Sequence, residues 1–416
     1  MKNRTLALAV FFILTQLGLV SCGSGKKATQ KDNELLKNTP IEMRNNKFAF
    51  DLFNAISPSH DENLVISPFS ISTALAMTYA GAGGNTATQM ARTLYFETDH
   101  ENFNRNFSKW MNTILEKGEA KKQLQVANSL WPQEDYPFLD EFMSLIRDYY
   151  GSAFYQVNYK GDREKIRQQI NAWVEKHTNN LIKDLIQPGV LVDDTRLVLV
   201  NAIYFLSDWK IAFDENATNP GKFNINRDKT VHVPFMYMKD DLRYVKTDDL
   251  QALELEYEGS DFSMLVVLPA EDKKLDGFIK DFDVSVFAQT LEKLEKQEVQ
   301  VYLPSFKVRS KFDLEKLLAA MGMPDAFSNR ADFSNMTPLN DLKIDKVIHE
   351  AFIDVNEEGT EAAASTAVVI IRKSAIIDPP ANIFRADRPF FYVIRENKTN
   401  SILFMGKVVN PYEKAN

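Results

Sequence analysis

Apolar residues recur with helical spacing over residues 48–56 and 70–79, which predicts a helix in each stretch. Pro68 stands where the first turn of the second helix begins, a place where its missing N–H costs little. The run Gly81-Ala82-Gly83-Gly84 predicts the end of that helix, and Thr86 with Gln89 offers a capping box for another. A longer helix is predicted over 166–185, around Trp173. The pattern then changes to runs rich in β-branched and aromatic residues. These predict strands over 124–130, 197–205, 253–257, 262–268, 299–308 and 344–355, with a return to helical spacing over 312–321. Residues 389–395 and 401–408 flank the turn Asn397-Lys398-Thr399-Asn400 and predict a C-terminal hairpin. Helices dominate the first third and strands the rest, a segregation that predicts an α+β fold in place of alternating βαβ units.

The N-terminal stretch stands apart from this pattern. Lys2 and Arg4 precede a largely apolar run that ends in Leu19-Val20-Ser21-Cys22, the layout of a secretory signal peptide over 1–21. Its last four residues look like a bacterial lipobox, so Cys22 is expected to carry lipid after cleavage just before it. Gly23 then points to an outer-membrane lipoprotein of a bacterial cell envelope, on its periplasmic or its surface face. Residues 22–39, rich in Gly, Lys, Asn, Gln and Thr, read as a flexible lipid-anchored tether. Residues 40–416 contain no comparable linker or repeat and read as one domain. With 44% hydrophobic and 25% charged residues the chain can bury a large core, and a formal net charge of -8 argues against a nucleic-acid partner. Cys22 is the only cysteine, so no intrachain disulfide can form. No second stretch approaches the ~20 apolar residues of a membrane span. The lipid at Cys22 is therefore the expected membrane contact, and a monomer is expected.

Signatures of catalysis are largely missing. The sequence has no G-x-S-x-G elbow, no H-E-x-x-H and no P-loop. None of the five histidines, His60, His100, His177, His232 and His349, pairs with another at metal-ligand spacing, so no metal and no cofactor are expected. A Ser–His–Asp triad assembled from distant segments remains open on spacing alone.

One segment is unusual: Glu357-Glu358-Gly359-Thr360-Glu361-Ala362-Ala363-Ala364-Ser365-Thr366, followed by Ala367-Val368-Val369-Ile370-Ile371 and then Arg372-Lys373-Ser374. Small residues give way to β-branched ones, and Asp378-Pro379-Pro380 favours an extended, exposed path. An alanine-rich helical turn is the simpler reading of 360–367. The segment nevertheless resembles the serpin hinge, and other family motifs occur in the same order. They are Asn63-Leu64-Val65-Ile66-Ser67-Pro68-Phe69-Ser70-Ile71, Leu199-Val200-Asn201-Ala202-Ile203-Tyr204-Phe205 with Trp209, Leu303-Pro304-Ser305-Phe306, Ala386-Asp387-Arg388-Pro389-Phe390 and Phe404-Met405-Gly406-Lys407-Val408. Three features depart from the pattern: Ser207 stands where glycine is frequent, Asn179-Asn180 replaces a more usual Gly-containing pair, and the segment between Lys373 and Phe384 is slightly longer than in some relatives.

The resemblance implies a serpin-like single domain of helices and large mixed and antiparallel sheets, with an exposed reactive loop. It implies irreversible, suicide-type inhibition of serine proteases and no catalysis by the chain itself. A protease cleaves the loop, and the severed loop inserts into the central sheet as a new strand. In that role Glu358, Gly359, Thr360, Glu361, Ala362, Ala363 and Ala364 form the hinge. Lys373 precedes the scissile bond and Ser374 follows it, with Arg372 as the other choice. A basic residue there suits trypsin-like proteases, although the pair is also compatible with an ordinary solvated surface. The resemblance further assigns Asn63, Ser67, Ser70, Asn201 and His349, with Trp209 nearby, to a polar network beneath the opening strands; plain caps and a satisfied core histidine are the alternative. A non-inhibitory member acting as a binding protein, and an inhibitor of cysteine proteases, are the competing functions. The alternation of a strand adds an independent argument. Thr360, Ala362, Ala364, Thr366, Val368 and Ile370 share one uncharged face, which suits burial.

Overall fold

The computed structural model describes residues 39–120, 124–151, 153–339, 341–360 and 382–412. Helices α1 (Ile41–Ile56), α2 (Pro68–Tyr79), α3 (Gly84–Leu94), α4 (His100–Ala120), α5 (Asp140–Tyr150) and α6 (Tyr159–His177) crowd the first part of the chain. The shorter α7 (Leu275–Asp281), α8 (Val284–Lys293) and α9 (Glu315–Met321) come later. The strands are β1 (Leu64–Ile66), β2 (Leu124–Pro132), β3 (Ala153–Phe154), β4 (Leu197–Phe205), β5 (Ser207–Asp208), β6 (Asn219–Asn224), β7 (Thr230–Lys246) and β8 (Leu250–Glu256). They continue with β9 (Phe262–Pro269), β10 (Glu295–Pro304), β11 (Phe306–Asp313), β12 (Lys346–Val355), β13 (Gly359–Thr360), β14 (Asn382–Arg385), β15 (Phe390–Glu396) and β16 (Ile402–Val408). The fold class is α+β, as the sequence predicts.

Among the described residues the strands form two sheets. The first runs β1-β16-β15-β9-β8-β7-β10-β14, with β6 on β7. The second runs β3-β2-β4-β12-β13-β5, with β11 on β12. At the centre of the second sheet β4 and β12 lie parallel, from Val198 opposite Lys346 to Tyr204 opposite Phe352. All nine residues of β4 are buried, because both faces of the strand are covered. Val198, Val200 and Ala202 point out to Ile166, Ile170 and Val174 of α6. Leu197, Leu199, Ile203 and Phe205 point into the main core. Asn201 falls on that inner side, a polar residue in an apolar row. Helix α2 lies within the core with every residue buried, and the polar side chains it carries are small hydroxyls, Ser70, Ser72, Thr73 and Thr78, besides Tyr79.

Three local expectations are corrected. The helix predicted over 166–185 spans Tyr159–His177 instead. Asn179 and Asn180 turn the chain with left-handed φ of 47° and 63°, a region that asparagine tolerates. The strand predicted over 299–308 is two strands in different sheets, β10 and β11, divided at Ser305. Both face apolar surroundings, so hydrophobicity continues across the break. Thr86 and Gln89 do not cap α3, whose N-cap is Gly83. Their side chains accept long-range hydrogen bonds from the backbone N–H groups of Asp332 and Asp325, each at 2.9 Å.

Candidate functional site

Beneath the closed pair of β4 and β12 lies a chain of buried polar groups. Ser67 caps α2: its hydroxyl accepts the N–H of Ser70 at 3.2 Å and donates to the carbonyl of Leu403 at 2.7 Å. The backbone N–H of Ser67 reaches Nε2 of His349 at 3.1 Å. A backbone N–H can only donate, so Nε2 accepts and Nδ1 carries the proton, which it gives to Oδ1 of Asn201 at 2.6 Å. Nδ2 of Asn201 donates in turn towards the carbonyl of Ser70 at 2.7 Å, its hydroxyl at 2.5 Å and Oδ1 of Asn128 at 2.6 Å. His349 has no exposed surface, and burial pushes its pKa down to about 3. The imidazole therefore stays neutral at neutral pH. Charging it would set an Nε2–H donor against the N–H of Ser67.

The network brings together Ser67, Ser70, Asn201 and His349 of the residues named from sequence. Asn63 is bound elsewhere: its side chain accepts the N–H groups of Val409 and Asn410 at 2.7 and 3.0 Å and donates to the carbonyl of Asn410 at 2.8 Å. It ties the start of β1 to the C-terminal segment. Trp209 also stands apart, at the hinge. Asn128 was not anticipated, although an asparagine in the middle of the β2 run was the visible signal.

Beyond Phe352 and Tyr204 the two central strands no longer pair with each other, and the hinge enters between β12 and β5. Thr360 faces Val355 on one side and Ser207 on the other, and Gly359 faces Asp208, every pairing antiparallel. Two parallel strands can each accept an antiparallel strand between them, and this short segment has that orientation towards both. Thr360 is fully buried, and its hydroxyl lies 2.7 Å from the hydroxyl of Tyr257. Burial pushes the Tyr257 phenol well above its ordinary pKa, so it remains a neutral partner.

The indole of Trp209 stacks on the Tyr257 ring, with centroids 4.5 Å apart and planes at 11°. The same tryptophan holds the approach to the hinge from two sides. Its backbone N–H donates to the carbonyl of Glu358 at 2.8 Å, and its ring N–H to the carbonyl of Asn356 at 2.9 Å. Asn356 closes the turn by accepting the N–H groups of Glu358 and Gly359 at 3.0 and 3.1 Å. Thr218 donates to the Glu357 carboxylate at 2.7 Å. Burial, with Glu258 and Glu358 nearby, raises the pKa of Asp208.

Gly359 is required here for close approach. A Cβ at this position would lie 2.2 Å from the carbonyl oxygen of Ser207 and 2.6 Å from Cα of Asp208. Ser207, the departure noted in sequence, is thus the residue whose backbone the hinge crosses. Of the residues named from sequence as hinge or reactive bond, Glu358, Gly359 and Thr360 are described. Glu361, Ala362, Ala363, Ala364, Arg372, Lys373 and Ser374 lie outside the described residues, as does Cys22. The segment 361–381 joins β13 in one sheet to β14 in the other.

A family model described as Serpin (serine protease inhibitor) matches residues 43–411. The leukocyte elastase inhibitor of Sus scrofa is 38% identical over 380 residues, covering 89% of this chain and 99% of that protein. An uncharacterized serpin-like protein of Thermococcus kodakarensis is 36% identical over 374 residues, covering 89% of this chain and 86% of its own. Among solved structures, uncleaved ovalbumin superposes with a TM-score of 0.79 at 29% identity, covering 90% of this chain and 100% of its own. Thyroxine-binding globulin in complex with thyroxine gives 0.80 at 30% identity, again over 90% and 100%.

Proposed function

Since the chain belongs to the serpin family, in which protease inhibition is the general activity, we propose that it is an irreversible, suicide-type inhibitor of trypsin-like serine proteases. The protease attacks the loop after Lys373, and its serine becomes esterified to the lysine carbonyl while the chain beginning at Ser374 leaves. The freed strand then enters between β4 and β12 before water can hydrolyse the ester. The outcome is a race, in which each ~1.4 kcal/mol of barrier changes the partition tenfold.

The observation that supports this reading is the register of β13. Extending its pairing six residues beyond Thr360, with Val355 and Ser207 as starting points, sets Thr366 opposite both His349 and Asn201. Those two already face each other across the closed pair. The two flanks therefore call for the same row, and insertion needs no slip against either strand. In this register Ala362, Ala364, Thr366, Val368 and Ile370 follow Thr360 inward. The Thr366 hydroxyl then arrives at the polar row whose ladder it separates, which limits the number of unsatisfied buried groups.

Arg372 is the second choice for the residue before the cut, and mass spectrometry of the released C-terminal peptide decides between them. A start at Ser374 supports Lys373. Mixing the protein with trypsin and separating the products on a denaturing gel tests the reaction itself. The expected result is a band at the summed mass that survives boiling; proteolysis alone contradicts the proposal. Localisation follows from Leu19-Val20-Ser21-Cys22: a lipid-anchored protein of a bacterial envelope, which incorporates labelled palmitate and loses the label in Cys22→Ala.

A further inference from the structure

A second feature lies between the two described ends of the loop. Tyr237 of β7, Tyr302 of β10 and Arg385 of β14 stand in one cross-strand row, since Tyr302 is registered against both of the others. Cross-strand partners share a face, so the three side chains project together. The two tyrosine rings lie 5.1 Å apart, and the Arg385 guanidinium sits 3.7 Å from the centre of the Tyr302 ring and 5.9 Å from that of Phe235. With Ala217, Asn219 and Gly221 they line a groove of about 370 Å³. Gly221 leaves the space open, because a Cβ there would lie 2.6 Å from the Phe235 ring.

Arg385 forms no ion pair with an acidic side chain among the described residues. Stacking occupies the flat face of a guanidinium and leaves its in-plane N–H donors free for a carboxylate. Ile383, two residues earlier on the same face of β14, is 55% exposed. Tyrosine and arginine are residue types enriched at interface hot spots.

We propose that this groove is a docking site for the rim of the captured protease and receives a carboxylate side chain from it. The inference rests on the inhibitor reading above. Position selects the occupant. One wall of the groove belongs to the segment whose Thr218 holds Glu357 at the hinge, and the other to the strand that leaves the loop. A protease bound to the segment that joins β13 to β14 is tethered to this pole through both of those strands. Docking acts before cleavage, whereas the insertion race follows it, so the groove governs association and leaves the partition between trap and substrate alone.

The test compares wild type, Arg385→Gln and Arg385→Glu against a panel of trypsin-like proteases including trypsin. It measures the second-order rate of covalent complex formation at low and high salt, with the stoichiometry and the thermal midpoint of each variant. Arg385→Glu is expected to slow association on the order of tenfold at low salt for at least one protease, with stoichiometry and midpoint unchanged. Arg385→Gln should fall between, and the differences should shrink as salt rises. Equal rates for all three proteins across the panel overturn the proposal. So does a change confined to stoichiometry, which would place the effect in loop insertion. If wild type forms no covalent complex with any protease, the inhibitor reading fails and this inference falls with it.

Discussion

The lower and upper parts of the β4–β12 seam are held in different ways. Below, a row of directional hydrogen bonds fixes His349 to Asn201 and both to the start of α2, with no solvent reaching the imidazole. Above, a two-residue wedge already parts the strands, held by the stacked rings of Trp209 and Tyr257, the hydroxyl pair of Thr360 and Tyr257, and the two N–H groups of Trp209 that donate to Glu358 and Asn356. Stacked rings can slide by fractions of an ångström at little cost. A buried hydrogen bond loses its partner over the same distance, and an unpaired buried group costs about 1–3 kcal/mol. The upper part already accommodates β13, whereas a strand entering the lower part has to exchange buried hydrogen-bond partners.

The largest effect is expected from closing the upper entrance. Thr360→Arg places a charge where no surface is exposed, at a cost of several kcal/mol unless it is paired. Covalent complex should disappear from the denaturing gel and cleaved inhibitor should replace it; wild-type complex yield would break the comparison at its upper end. Next is His349→Ala, which strands the N–H of Ser67 and Oδ1 of Asn201. Loss of these partners should lower the stability of the intact form by several kcal/mol, measured by urea unfolding, and speed spontaneous sheet opening.

The His349 titration sharpens the same point. The folded pKa is about 3, below the ~6.5 of an unfolded histidine. As pH falls below 6.5 the unfolded chain takes up the proton first, so stability declines by roughly 1.4 kcal/mol per pH unit until the folded value is reached. His349→Gln keeps a donor and an acceptor without titrating, and its stability should depend on pH with one proton less over that window. Gly359→Ala ranks third: its Cβ presses on the Ser207 backbone, and a cost of about 1–3 kcal/mol should show as slower complex formation. Tyr257→Phe is the mildest, removing a single hydroxyl partner from Thr360, with about 1 kcal/mol lost in thermal unfolding.

How much of this was legible beforehand differs between the two parts. The lower network was foreshadowed by polar residues in apolar rows, Asn201 within β4 and His349 within β12, and the family resemblance named four of its members. Asn128 and the carbonyl of Leu403 escaped because their role depends on which strands lie over α2. Asn63 was placed in the network by its motif, yet its side chain serves the C-terminal segment. The upper part was less readable. Nothing in the sequence around Tyr257 announces a partner for Thr360, about a hundred positions away. Gly359 was anticipated as a member of the hinge; the backbone of Ser207 and Asp208 crossing beside it is the physical requirement. Strand β7 went unnoticed because charged and polar residues alternate along its exposed side. Thr86 and Gln89 imitated a local cap while binding a distant segment.

The central claim is that the closed sheet stores free energy which a single cut in the loop releases. Thermal unfolding of the intact and the loop-cleaved protein, recorded side by side, tests it most directly. One added ladder of hydrogen bonds and the burial of the inward face should raise the midpoint on the order of 10 °C or more after cleavage. An unchanged or lower midpoint in the cleaved protein would contradict the account.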